Sequence, residues 1–101
     1  MYATVRVYDS AEGLADAVAE NRDEILGLFE EIPGFRGYHI LKTGPASCVS
    51  VTVFDDQAGA EASNEAARAW IAANLAGMSI SPPQVHGGEV ALTLGAAAAS
   101  R

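Results

Sequence analysis

A chain of 101 residues is long enough for one hydrophobic core and too short for two. Half of it is hydrophobic and 19% is charged, which is a globular composition and excludes a disordered one. Thirteen acidic against six basic residues give a net charge of −7 with no basic stripe to offset it, so a nucleic-acid partner is not expected.

The opening "MYATVRVYDS" alternates as a strand from Tyr2 to Tyr8, with Ala3, Val5 and Val7 on one face and Tyr2, Thr4, Arg6 and Tyr8 on the other. It has neither the basic start nor the apolar run of a signal peptide. Ser10 then caps a predicted helix whose apolar stripe runs through Leu14, Val18, Ile25, Leu28 and Ile32, interrupted at Asn21. The acidic residues of this segment form its solvated face. Pro33-Gly34 ends the helix, because proline cannot donate the next helical bond and glycine tolerates the turn.

A hairpin follows. Its strands are predicted over Phe35 to Lys42 and Ser47 to Phe54, joined by the turn "TGPA". That turn length sets His39 opposite Ser50, Leu41 opposite Cys48 and Phe35 opposite Phe54. One hairpin face then carries Phe35, Gly37, His39 and Leu41 with Cys48, Ser50, Thr52 and Phe54. The other carries Arg36, Tyr38, Ile40 and Lys42 with Val49, Val51 and Val53.

Asp55 or Asp56 caps an alanine-rich helix, in which a second cap signal at Ser63-Asn64 predicts a break before a longer piece ending near Leu75. A proline-containing loop leads into a last strand over Gln84 to Leu94, with a bulge expected at Gly87-Gly88. The order βαββαβ predicts an α+β, ferredoxin-like domain over residues 1–95 with a four-stranded antiparallel sheet. Residues 96–101 are expected to be a disordered tail. No run reaches the about 18 apolar residues of a membrane helix, so no membrane partner is expected. The single cysteine, Cys48, excludes an internal disulfide and fits a cytoplasmic location. Helices cover one sheet face while both faces are half apolar, which predicts a homodimer.

The strand "ATVRV", the junction "PGFRGYHIL", the step "VSVTVFDDQAGAEA", the alanine-rich helix and the strand after "SPPQV" together resemble the antibiotic biosynthesis monooxygenase-like domains of the dimeric α+β-barrel superfamily. The resemblance spans nearly the whole chain and implies a homodimeric α+β barrel. The family includes cofactor-free oxygenases of aromatic polyketides and quinols as well as haem degraders. The haem-degrading residues have no match here: the first strand lacks an asparagine, the tryptophan place falls near Ser63, and the histidine place falls among Ile71, Ala72 and Ala73.

Candidate site residues follow from chemistry and from that resemblance. His39 is the candidate base, because imidazole titrates near neutral pH; a bond to Ser50 or a place in the dimer interface is the other reading. Asn21 interrupts an apolar stripe, and an amide there either aims into a pocket or reaches water at the stripe's edge. Tyr38, Asn64 and Trp70 fall in regions where the polyketide oxygenases line their pocket, although Trp70 equally reads as core filler among alanines. His86 precedes two glycines that leave room for a ligand or shape a sheet edge.

A metal site from His39, His86 and Cys48 requires three strands to converge, so no metal or haem is expected in folding and no cofactor in function. Two readings stay open. One is a cofactor-independent monooxygenase acting on a small aromatic or quinol-like metabolite. The other is a non-catalytic homodimeric domain that binds a small ligand or simply assembles. A pocket, if present, is expected between sheet and helices beside "EASNEAARAW"; a Trp70 packed away from any cavity would favour the non-catalytic reading.

Overall fold

The computed structural model describes residues 1–95; the tail expected to be disordered, 96–101, lies outside them. Strand β1 (Tyr2–Tyr8) leads into helices α1 (Leu14–Glu20) and α2 (Arg22–Glu30). The hairpin β2 (Phe35–Gly44) and β3 (Ser47–Phe54) follows, then α3 (Gln57–Asn74) and β4 (Gln84–Glu89). The sheet order is β2-β3-β1-β4 and every neighbouring pair is antiparallel. This is the ferredoxin-like arrangement expected from the element order.

Five local expectations are corrected. The single first helix is two, parted at Asn21, whose backbone has left the helical region (φ −109°, ψ 33°) and whose Nδ2 donates to the Ala17 carbonyl at 2.7 Å. Its start is Gly13, in the left-handed region at φ 85°, and not Ser10. Helix α3 is continuous through Ser63-Asn64. Ser63 donates back to the Ala60 carbonyl and, like Asn64, accepts from a strand side chain, so neither is free to cap a new helix. Strand β4 ends at Glu89, short of Leu94, and runs past Gly87 and Gly88 in unbroken register with Thr4 and Ala3.

The hairpin register is corrected too, with the largest consequence. Phe35 does face Phe54, but the register shifts between Phe35 and Gly37, leaving Arg36 as an extra residue. Beyond it Tyr38 faces Thr52, His39 faces Val51, Ile40 faces Ser50 and Leu41 faces Val49. A second irregularity between Lys42 and Gly44 shortens the connection to Pro45-Ala46. A one-residue slip exchanges the faces of a strand. Tyr38 and Ile40 therefore join Cys48, Ser50, Thr52 and Phe54 on the helix side, while His39 and Leu41 join the valines on the open side.

Burial alternates along the whole of β3 and along β1 from Ala3 onward, and it is the polar set that is buried. Thr4, Arg6 and Tyr8, with Cys48, Ser50, Thr52 and Phe54, lie under the helices. Ala3, Val5, Val7, Val49, Val51 and Val53 are only half-buried on the open face. The apolar core lies at one end of the helix layer, where Leu14, Val18, Ile25 and Phe29 meet Phe54 and Trp70. Phe29 packs on Phe35 and Tyr38, with ring centroids 5.7 and 5.0 Å away. The other end of the layer is more open, and the chain from 75 to 83 arches over it.

Candidate small-molecule site

A cavity of about 610 Å³ lies between β1, α3 and the 75–83 segment. Its size suits a small metabolite. Arg6 and Tyr8 from β1, Asn64, Ile71 and Ala72 from α3, and Val85 from β4 are among its lining residues. The arch over the space is held by a bridge between Ala11 and Ile80 and by a bond from the Ser81 N–H to the Ser10 carbonyl at 2.8 Å. The lining is mostly apolar, with Ile80, Pro82 and Pro83 on the arch, and the charged Glu61, Glu65 and Arg68 are exposed at its margin. Among these, Glu65 pairs with Arg68 and Glu61 accepts from Gln57 at 2.9 Å.

Arg6 is the polar centre of this space. It is only 3% exposed, and four neutral oxygens receive its hydrogens: Asn64 Oδ1 from Nε at 2.9 Å, Thr52 Oγ1 and Ser50 Oγ from Nη1 at 2.9 and 3.2 Å, and Ser63 Oγ from Nη2 at 3.2 Å. Among the described residues no carboxylate accepts from it. Burial pushes its pKa down from the ordinary value, with the neighbouring Tyr8 and Tyr38 opposing that shift. The two phenols move the other way for the same reason: burial raises Tyr8, and it pushes Tyr38 up to about 12. All three groups keep their neutral-pH forms, a cation beside two un-ionised phenols.

Of the residues singled out from sequence, Asn64 alone both lines this cavity and bonds to Arg6. Trp70 is 7% exposed and turns toward α2, where its Nε1 donates to Glu24 Oε1 at 2.7 Å. It borders a gap of about 20 Å³ shared with Tyr38, not the large cavity. Tyr38 also lines a separate groove of about 380 Å³ between α2 and β2. Asn21 sits at the α1–α2 junction, outside all three spaces.

His39 and His86 are exposed on the open face, in one transverse row that reads His39, Val51, Val5, His86 across the sheet. Three strand spacings of about 4.8 Å separate them. Cys48 is buried on the opposite face, so the three potential ligands do not converge. Among the described residues no group of three or more His, Cys, Asp or Glu side chains is placed to hold a metal.

Arg6, Tyr8, Ser50, Thr52 and Ser63 are the site residues that sequence reasoning passed over. A signal was present. The strand "ATVRV" offers two faces, and its alternation alone does not say which one is buried. An arginine placed between Thr4 and Tyr8, opposite a "SCVSVTVF" strand whose Ser50 and Thr52 fall on the same side, marks a polar interior once the valines are assigned outward.

The sequence matches no family profile and no curated protein. Solved structures do match. A protein of unknown function from Nitrosomonas europaea is 29% identical, with a TM-score of 0.66 over 94% of this chain and 95% of its own. The haem degrader MhuD from Mycobacterium tuberculosis, solved with two haems in its active site, is 20% identical, with a TM-score of 0.66 over 94% of this chain and 100% of its own. The cofactor-independent oxygenase SnoaB from Streptomyces nogalater, solved as a mutant, is 16% identical, with a TM-score of 0.57 over 92% of this chain and 95% of its own. Three further matches carry the name antibiotic biosynthesis monooxygenase. At these identities the likeness is one of architecture, and by it the chain has the ferredoxin-like α+β fold of the antibiotic biosynthesis monooxygenase-like domains.

Proposed function

We propose that this chain is a homodimeric domain that binds a small, flat, largely apolar metabolite in the cavity between β1, α3 and the 75–83 segment. The observation that carries this reading is the cavity itself: about 610 Å³ of mostly apolar space built around one buried polar cluster. Ligand sites commonly combine an apolar lining with a few convergent polar groups. Oxygenation of the bound molecule without a cofactor is the chemistry that SnoaB, a cofactor-independent oxygenase of this fold, suggests. It would need a substrate already prone to lose a proton, because the one histidine nominated as base, His39, is across the sheet from the cavity. Binding is therefore the function proposed, and turnover is a property to be measured.

Native mass spectrometry of the purified protein against a library of flat aromatic phenols and acids should find bound members. Ala72→Trp, which fills cavity space from an exposed helix position, should abolish binding without lowering the melting temperature. Retention of every hit by that variant would move the site elsewhere. Incubating a hit under isotopically labelled dioxygen separates the two activities: label in a product marks an oxygenase, and an unchanged ligand marks a binding domain.

A further inference from the structure

The electrostatics of Arg6 specify what kind of molecule the cavity takes. A guanidinium has five N–H donors in a planar fork. Four of them are used, by Asn64, Ser50, Thr52 and Ser63, which leaves one Nη2 hydrogen without a protein acceptor. The residue is 3% exposed and lines this cavity as well as the small gap beside Trp70, so its charge is met from those two spaces and from little else. Burying a cation is costly unless an anion accompanies it, and hydroxyl and amide dipoles offset only part of that cost.

Sources of negative charge within the protein do not supply the missing partner. Tyr8 and Tyr38 stay protonated, as burial requires. Glu61 and Glu65 stand exposed at the margin, engaged by Gln57 and Arg68. Tyr8 lines the same cavity beside Arg6 as an un-ionised phenol, and a phenol hydroxyl can donate a second hydrogen bond to an anion there. Everything else around this centre that is in contact with the cavity is apolar or neutral.

We infer that Arg6 is the receptor for an anionic oxygen, a carboxylate or a phenolate, carried on the apolar body of the ligand. The inference rests on the ligand-binding reading above and narrows it. Ser50, Thr52, Ser63 and Asn64 act as positioning residues: they fix the plane of the guanidinium and leave one edge for the ligand. A phenol bound there would meet the same two opposing effects as Tyr8, the fixed cation favouring its charged form and burial opposing it.

Two isosteric probes test this on the unaltered protein: 2-naphthoate and its neutral amide, 2-naphthamide, titrated by calorimetry. The naphthoate should bind about tenfold or more tightly than the amide, as hydrogen bonds to charged groups commonly allow. It should also shift the Arg6 side-chain N–H resonances in a nitrogen-labelled sample. Arg6→Met should erase the preference while keeping binding of the amide, and Arg6→Lys should restore part of it. If Arg6→Met does not fold, the wild-type pair and the Arg6 resonances decide alone.

Equal affinity for both probes overturns the anion receptor and leaves the cavity as a site for neutral ligands. Failure of both probes at millimolar concentration removes the ligand-binding reading together with this one. A third probe, 2-naphthol, distinguishes the two anion sources. The naphtholate absorption band appearing on binding at neutral pH assigns a phenolate site, and binding of the un-ionised form alone assigns the site to carboxylates.

Discussion

A buried guanidinium held by four hydroxyl and amide oxygens acts on the phenols beside it, and burial acts on all three groups. Its field favours phenolate at Tyr8 and Tyr38, yet desolvation outweighs that field, and Tyr38 rises from 10.0 to about 12. A phenol whose folded pKa exceeds its unfolded one leaves stability untouched below pH 10; between pH 10 and 12 the unfolded chain releases the proton first, and stability falls. The full difference amounts to about 2 kcal/mol for Tyr38 after allowance for its partial exposure, and the raised Tyr8 adds in the same direction. Urea midpoints should therefore stay level from pH 7 to about pH 9 and drop steeply from about pH 10 to 12. Tyr38→Phe should shallow that drop while costing little at pH 7. An unaltered alkaline slope in the variant would show that Tyr38 is hydrated in the folded state.

Helix α3 packs on the sheet through its smallest residues, and that sets the distance at which the cavity forms. Asp56 Oδ1 caps it by accepting from the Gly59 N–H at 2.9 Å, and Gly59 then lies directly on fully buried Phe54. A Cβ on Gly59 would stand 2.8 Å from Phe54 Cδ2, whereas one on Gly27 in α2 would meet nothing within 4 Å. Helix propensity favours alanine over glycine by about 1 kcal/mol at both positions, while overpacking costs about 1–3 kcal/mol at the first alone. Gly59→Ala should thus lower stability by about 0–2 kcal/mol and Gly27→Ala should raise it by about 0.5–1 kcal/mol, read from urea midpoints. A gain from both would mean that Phe54 yields to the added methyl. At this scale the sequence was informative about which elements exist, since alternation in β1 and β3, the Pro33-Gly34 stop and the Asp56 cap are local signals. It was uninformative where the outcome depended on a distant partner. Ser63 and Asn64 read as a break because their acceptor role toward Arg6 spans more than fifty residues. His39 was assigned to the wrong face because the extra residue at Arg36, beside the ion pair it makes with Asp55, has no local signature.

For the molecule as a whole, the inverted sheet has one unmet requirement. Its polar set is enclosed by helices, and its valines remain on a face that no described element covers. Val51 sits in the middle of that face, between Val5 of β1 and His39 of β2, with Leu41 49% exposed nearby. A second copy is the partner we propose, two valine faces meeting across a two-fold axis. Each copy carries a charge of −7, so apolar burial must outweigh like-charge repulsion between them, and the dimer should tighten as salt screens that repulsion. Sedimentation equilibrium at micromolar concentration should give twice the chain mass, more firmly so in half-molar salt than in low salt. Val51→Glu places two carboxylates in the centre of the interface, where neither has a cation to meet, and should yield monomers. Within one chain Val51 is only half-buried, so the variant's own fold should survive with a loss of about 1 kcal/mol or less, read from far-ultraviolet dichroism and urea melts. The cavity belongs to each chain separately, being built from β1, α3, β4 and the 75–83 segment. The monomeric variant should consequently bind 2-naphthoate as the wild type does. A wild-type chain that stays monomeric at micromolar concentration would leave the valine face without its proposed partner. A Val51→Glu dimer as tight as the wild type would move the interface to another surface, with the exposed edge strand β4 the next to test.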